Sequence, residues 1–305
     1  MYLTGFADEA SRGIEGQITA TRELGWTHIE SRNVDGVNIH DLPEADFDRV
    51  AGLLEDAGIH INCFGSAIAN WGKSITEPMD SSLAEARRAI PRMHRLGTKL
   101  IRIMSFAVLK DRTPDDQLEE ERFGRLRILH QMFTDEGITP VHENCMNYGG
   151  MGWRYTLRML ENVPGLKLVF DTGNPVFTPD YIKPKPWPRQ SAWEFYSQIR
   201  DHVAYVHIKD AVWDEATQKI TFRFAGEGQG DVRRILKDLF ARGYAGGLSI
   251  EPHLAVVFHE DKGEKQESVM FQNYVDYGRR LEGLIREVRN ETEFNLSMWR
   301  PNREG

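Results

Sequence analysis

The chain has 305 residues, with 38 Lys plus Arg against 46 Asp plus Glu and a net charge of -8. That acidic balance disfavours non-specific attraction to nucleic acid or to anionic membrane surfaces, and no apolar run approaches the roughly 18 residues that suggest a membrane span. The opening MYLTGFADEA lacks the basic-then-apolar order of a secretory signal, so the expectation is a cytoplasmic protein with no nucleic-acid or membrane partner.

Taken in chain order, apolar strand-like runs end in LTGFAD (3 to 8), HIESRN (28 to 33), HINCFGS (60 to 66), KLIRIMSF (99 to 106), TPVHENC (139 to 145), LKLVFDTGN (166 to 174), VAYVHIKD (203 to 210) and GGLSIEPH (246 to 253). Between them, apolar residues recur at three- and four-residue spacing, as in Phe47, Val50, Leu53, Leu54 and in Ile90, Met93, Leu96, the period of a helix burying one face. Glycines at 25, 58, 97, 137 and 243 stand where such helices would close. This alternation predicts an α/β fold: a single (β/α)8 TIM barrel over residues 1–290, since about 250 residues make a typical barrel and parallel strands need helical crossovers. Two irregular stretches, the proline-rich 174–190 and 210–230, follow strand ends and are expected to rise over the rim. Within the second, Thr217 to Phe224 alternates like a hairpin arm. From about Asn290 the helical period is lost, which predicts a C-terminal tail over 291–305 that packs on the barrel or on a neighbouring chain of a homo-oligomer.

Chemistry concentrates at four consecutive strand ends: Glu143, Asp171, His207 and Glu251. A barrel gathers such ends on one rim, where enzymes of this architecture keep their active sites. A single strand-end Glu can simply pair with a rim Lys or Arg. An apolar run passing straight into an acidic residue, four times over, buries charge that needs a metal or a partner. Three carboxylates and one imidazole suit one divalent ion, Mn2+ or Mg2+ before Zn2+ or Co2+. Alternation places Val141, Glu143 and Cys145 on one face of their strand and His142 and Asn144 on the other. Cys63 and Cys145, the two cysteines, are expected as reduced core thiols.

The set GFADEAS, HIESR, HEN, FDTGN, HIKD, GEGQGD and SIEPH, in this order at these strands, resembles the xylose isomerase-like barrel superfamily, in particular the sugar phosphate isomerases and epimerases related to ketose 3-epimerases, inosose dehydratase and endonuclease IV. Over roughly residues 1 to 288, the resemblance implies a metal on Glu143, Asp171, His207 and Glu251. It also implies a carbohydrate isomerase or epimerase that abstracts a proton beside a carbonyl through a metal-stabilised enediolate, with Glu143 and Glu251 as the two acid-base groups. The same intermediate serves a dehydratase on a keto-sugar or inosose, and a non-catalytic sugar-binding barrel is the third reading. Many relatives carry a histidine where Asn174 stands, which leaves the substrate open. Candidate substrate contacts are His142, Asn144, Asn174, Lys209 and His253, each of which can equally be a rim hydrogen bond or salt bridge. Trp71, Trp187 and Trp213 can stack on sugar faces or fill hydrophobic seams. The glycines of GEGQGD can bring amides to an anion or form the turn before a helix capped by Asp231. An acidic chain with one such ligand set argues against nuclease chemistry.

Overall fold

The computed structural model describes residues 1–254 and 265–298. In chain order the elements are β1 (Tyr2–Gly5), α1 (Ile14–Glu23), β2 (His28–Ser31), β3 (Asn33–Val34), β4 (Val37–Asn38), α2 (Glu44–Ala57), β5 (His60–Phe64), α3 (Asp80–Leu96), β6 (Leu100–Ile103), α4 (Glu119–Thr134) and β7 (Thr139–Glu143). They continue with α5 (Trp153–Asn162), β8 (Lys167–Asp171), α6 (Asn174–Phe177), α7 (Ala192–Ile199), β9 (Val203–Ile208), β10 (Asp210–Asp214), β11 (Lys219–Arg223), α8 (Val232–Ala241), β12 (Gly247–Ile250) and α9 (Lys265–Met298). Eight parallel strands join in the order β1-β12-β9-β8-β7-β6-β5-β2, and a parallel bridge between Phe6 and Glu30 brings the two outer strands together. The fold is a TIM barrel, and each of the eight strand-like runs read from the sequence supplies one barrel strand.

Local chemistry explains the segmentation. Gly58 ends α2 at φ 63° and Gly97 ends α3 at φ 69°, the left-handed conformation in which only glycine lacks a steric penalty; Gly25, Gly137 and Gly243 share it. The helices bury one stripe each, for example Phe47, Val50 and Leu54 of α2, against the outward face of the strands. Inside the barrel the two-residue period builds layers: Cys63, Val141, Val169 and Tyr205 pack together in the lumen. Two residues further along their strands, Glu143, Asp171 and His207 point the same way toward the rim.

The arm expected over Thr217–Phe224 is real and larger than expected. β11 pairs antiparallel with β10, so the strand following the HIKD motif is its partner. The arm meets the proline-rich loop where Phe222 contacts Phe177 edge-on and where the Arg189 guanidinium lies 3.8 Å over the Trp213 ring. The carboxyl-terminal expectation needs correction, because α9 runs through Asn290 to Met298. Ion pairs that the period of apolar residues cannot reveal hold this turn: Glu291 binds Arg233 at 2.7 Å and Lys237 at 2.5 Å, both from α8. Residues 299–305 of the expected tail lie outside the described residues.

Candidate functional site

Glu143 and Asp171 end β7 and β8, His207 lies in the last turn of pleat of β9, and Glu251 follows β12 directly. Each offers one ligand-type atom, and these atoms all lie within 4.8 Å of one another in a buried cluster. Glu143 Oε2, Asp171 Oδ2 and His207 Nδ1 face charged neighbours. Arg102 Nη1 approaches Glu143 Oε2 at 3.1 Å and Lys209 Nζ approaches Asp171 Oδ2 at 2.8 Å. Carboxylates crowded this closely in a buried site need paired charges or a metal. Hard oxygen donors with one imidazole fit a divalent cation such as Mg2+ or Mn2+.

The protonation states follow from the crowding. Burial raises the Glu143 carboxyl, but Arg102 and His207 outweigh it and hold it at about 2. Burial likewise opposes ionisation of Glu251, and Lys209, His253 and Arg32 overcome it, leaving its pKa well below the ordinary value. Asp171 goes the other way: burial, opposed by Lys209 and reinforced by Glu251 and Glu143, raises it to about 7. Burial depresses His207, yet Glu30 and Glu143 lift it to about 10. Arg102, Lys209, Arg32 and the charged His207 ring neutralise these carboxylates, the part a bound divalent cation would take.

The other residues singled out in the sequence divide. Lys209 Nζ donates to Glu251 Oε2 at 2.8 Å and so stands between Asp171 and Glu251, inside the cluster. Asn174, the first residue of α6, donates through Nδ2 to Glu143 Oε1 at 3.1 Å. His253 Nε2 lies 3.6 Å from Glu251 Oε1, while its Nδ1 is bonded to Glu9 at 2.9 Å. Two residues are not brought to the cluster in the way expected. His142 turns to the outer side of β7, where Nε2 pairs with Ser105 Oγ at 2.9 Å, because alternation sends it away from Glu143. Asn144 clasps the neighbouring backbone, donating to the Asp171 carbonyl at 3.0 Å and accepting from the Asp171 amide at 2.7 Å. Trp213 stacks under Arg189 on the arm, Trp187 packs on Tyr181 at 4.5 Å, and Trp71 is 46% exposed on the loop after β5. Cys63 and Cys145 are buried free thiols.

Sequence reasoning passed over four residues that complete the cluster. Glu30 of β2 is fully buried and accepts from Tyr205 OH at 2.9 Å and Ser249 Oγ at 2.6 Å. It lies 3.1 Å from His207 Nε2, so it fixes that ring with Nδ1 turned toward Glu143 and Asp171. Arg32 binds Glu251 at 3.1 Å, Glu9 at 3.2 Å and Asp8 at 2.8 Å, and Arg102 binds Glu143. The Phe6 ring underlies both guanidinium groups, at 4.5 and 5.2 Å. The sequence carries a weak signal for two of them: Glu30 in HIES and Arg102 in LIRI are charges inside a strand, without the position at a run's end that marked Asp171.

A family model described as xylose isomerase-like TIM barrel matches residues 18–273. No curated protein sequence matches the chain significantly. Among solved structures, a D-tagatose 3-epimerase-like protein superposes with a TM-score of 0.70 at 14% identity, over 95% of this chain and 99% of that one. A xylose isomerase-like TIM barrel protein from Mycobacterium smegmatis, solved in complex with magnesium, gives a TM-score of 0.66 at 18% identity, covering 93% and 97%. The probable 3-DHS dehydratase AsbF from Bacillus anthracis gives 0.62 at 15% identity, covering 90% and 97%.

Proposed function

Because the chain belongs to the xylose isomerase-like TIM barrel family, we propose that it is a divalent-metal-dependent carbohydrate isomerase or epimerase that moves a proton at a carbon beside a carbonyl. The observation that supports this most is the convergence of Glu143, Asp171, His207 and Glu251, whose ligand-type atoms lie within 4.8 Å of one another in a buried cluster. These four residues would hold the ion, which when bound acts as a Lewis acid on the substrate carbonyl.

The remaining chemistry belongs to the chain itself. Glu143 and Glu251 are both kept deprotonated, by Arg102 and by Lys209 with Arg32, so each can act as a base. Their strands are separated in the sheet by β8 and β9. A substrate carbon between them can lose its proton to Glu143, which passes it to solvent, and regain one on the opposite face from Lys209 by way of Glu251 Oε2, to which Lys209 Nζ donates at 2.8 Å. Lys209 Nζ is charged, since Asp171 and Glu251 outweigh the burial that would lower its pKa, and it can donate a proton or a hydrogen bond to a substrate oxygen. Asn174 Nδ2 positions the Glu143 carboxylate.

The deciding experiment incubates the protein with added Mn2+ in D2O against a panel of keto-sugars and inososes, read by mass spectrometry and NMR. An isomer of the substrate with one solvent deuterium beside the carbonyl supports the reading. Loss of one water moves the protein to the dehydratases. Turnover without solvent deuterium overturns proton transfer, and binding without turnover makes the barrel a sugar-binding protein.

A further inference from the structure

A cleft of about 250 Å3 opens among the segments that follow β5, β6, β7 and β8, on the same rim as the acidic cluster. Its walls include Trp71, Val108, Met146, Met151, Phe177 and Tyr181. Trp71 is 46% and Met146 52% exposed, although both are large and apolar. Apolar side chains gathered bare around a concave site are the usual lining of a small-molecule pocket. Two chain segments link the cleft wall to the cluster. Met146 and Asn147 follow Glu143 on the loop after β7, and Asn147 Nδ2 donates to the Glu143 carbonyl at 2.9 Å. α6 begins with Asn174, bonded to the Glu143 carboxylate, and ends with Phe177 in the cleft wall.

These walls do not suit a bare polyol. The Asn147 amide is committed: its Oδ1 accepts from Ser105 Oγ at 2.7 Å and its Nδ2 is bonded to Glu143. Of the other polar side chains in the lining, Thr178 Oγ1 donates to the Asn174 carbonyl at 2.7 Å and Lys110 is exposed, so sugar hydroxyls seated against Val108, Met151 and Phe177 would give up water for few replacements. We propose that the substrate carries an apolar group, an aryl ring or a branched alkyl chain joined to its sugar part, and that this cleft binds it while the sugar part lies at Glu143. The proposal rests on the carbohydrate reading for the polar half of the substrate. An apolar cavity of about 150 Å3 takes benzene, so the larger cleft accommodates one ring and its linking atom.

The test titrates the Mn2+-loaded full chain calorimetrically with the methyl glycoside and the phenyl glycoside of one aldohexose oxidised to a ketone at C3, in which the carbonyl stays free, and with phenol alone. The phenyl glycoside is expected to bind about tenfold more tightly than the methyl glycoside, the advantage of burying one ring. Phe177→Ser and Met146→Ser each shrink that advantage to about threefold or less and leave methyl glycoside affinity unchanged. Equal affinity of the two glycosides, or an advantage that survives both substitutions, overturns the proposal while the carbohydrate reading stands. Phenol binding that both substitutions abolish, with neither glycoside bound, leaves the apolar site in place and removes the carbohydrate reading. Silence from all three ligands overturns both.

Discussion

Asp171 and Asp210 stand at the rim ends of neighbouring strands, both with no solvent exposure, and they do opposite things. Asp210 is satisfied entirely by backbone: Oδ1 accepts from the amides of Ala211 at 2.9 Å and Gly230 at 2.8 Å, and Oδ2 from Gly226 at 2.9 Å and Gly228 at 3.0 Å. Asp171 uses Oδ1 in the same way, on Gly173 and Asn174 at 2.8 Å each, but its Oδ2 meets only a charge. Burial alone therefore does not distinguish the two carboxylates; their partners do, backbone amides around Asp210 and the Lys209 ammonium beside Asp171. The comparison also explains GEGQGD. Its amides do cradle an anion, and the anion is the side chain of Asp210. A Cβ at Gly228 would fall 2.3 Å from Asp210 Oδ1, so the cradle requires glycine there. Asp231 occupies the position before α8 without capping it, accepting instead from the Trp193 amide at 3.3 Å.

The contrast can be broken most forcefully on its catalytic side. Glu251→Gln and Glu143→Gln are expected to lower kcat by about 100- to 10,000-fold, the usual range for a lost acid-base group, while circular dichroism stays unchanged. Metal content measured on the same samples separates lost chemistry from a lost ligand, and full turnover in both variants would remove the cluster from the reaction. On the structural side, Asp210→Ala strands a nest of buried amides and should reduce unfolding free energy by about 3 kcal/mol. Its affinity for Mn2+ should stay that of the wild type. A urea midpoint close to the wild-type value would show that the cradle is not what holds the arm.

Smaller effects sharpen the boundary between the two kinds of residue. Glu30→Gln keeps the shape of the side chain and removes the charge that orients His207, so Mn2+ affinity by titration calorimetry should weaken about 10- to 100-fold. An unchanged affinity would mean that the edge-on contacts of His207 with Phe6 at 5.0 Å and Tyr205 at 5.6 Å suffice to fix the ring. His142 provides the pH dependence. Burial lowers its pKa from 6.5 to about 4, so between these values the unfolded chain holds a proton that the folded chain lacks. Stability is then complete above pH 6.5 and falls as the pH drops toward 4. Relative to wild type, His142→Gln should lessen the loss between pH 7 and pH 5 by about 2 kcal/mol in denaturant titrations.

The barrel was legible because its two periods, three to four residues in helices and two in strands, are written in apolar residues such as Phe47, Val50 and Leu54 or Val141 and Val169. The ligand-type residues were legible for a related reason: Glu143, Asp171, His207 and Glu251 interrupt apolar runs at their ends. Glu30 and Arg102 escaped because they interrupt their runs from inside, where a charge reads as noise until the partner across the lumen is known. His142 and Asn144 stand beside Glu143 in sequence, and alternation points them to the other face of their strand, where they bond Ser105 and the Asp171 backbone. The fate of Asn290 to Met298 depended on α8, a long-range ion-pair partner that periodicity cannot see.

One joint in the ring has a further consequence. β1 and β12 share four registered pairs, as do β8 and β9, whereas the first and second barrel strands meet at the single bridge of Phe6 with Glu30. Backbone amides along a seam with so few cross-strand bonds exchange with solvent through the least costly opening of the ring. That seam carries Glu30 on one side and Phe6, the platform of both arginines, on the other. When the barrel breathes, it opens first at the residues that aim the imidazole, so hydrogen exchange in β1 and β2 reports on the readiness of the site itself.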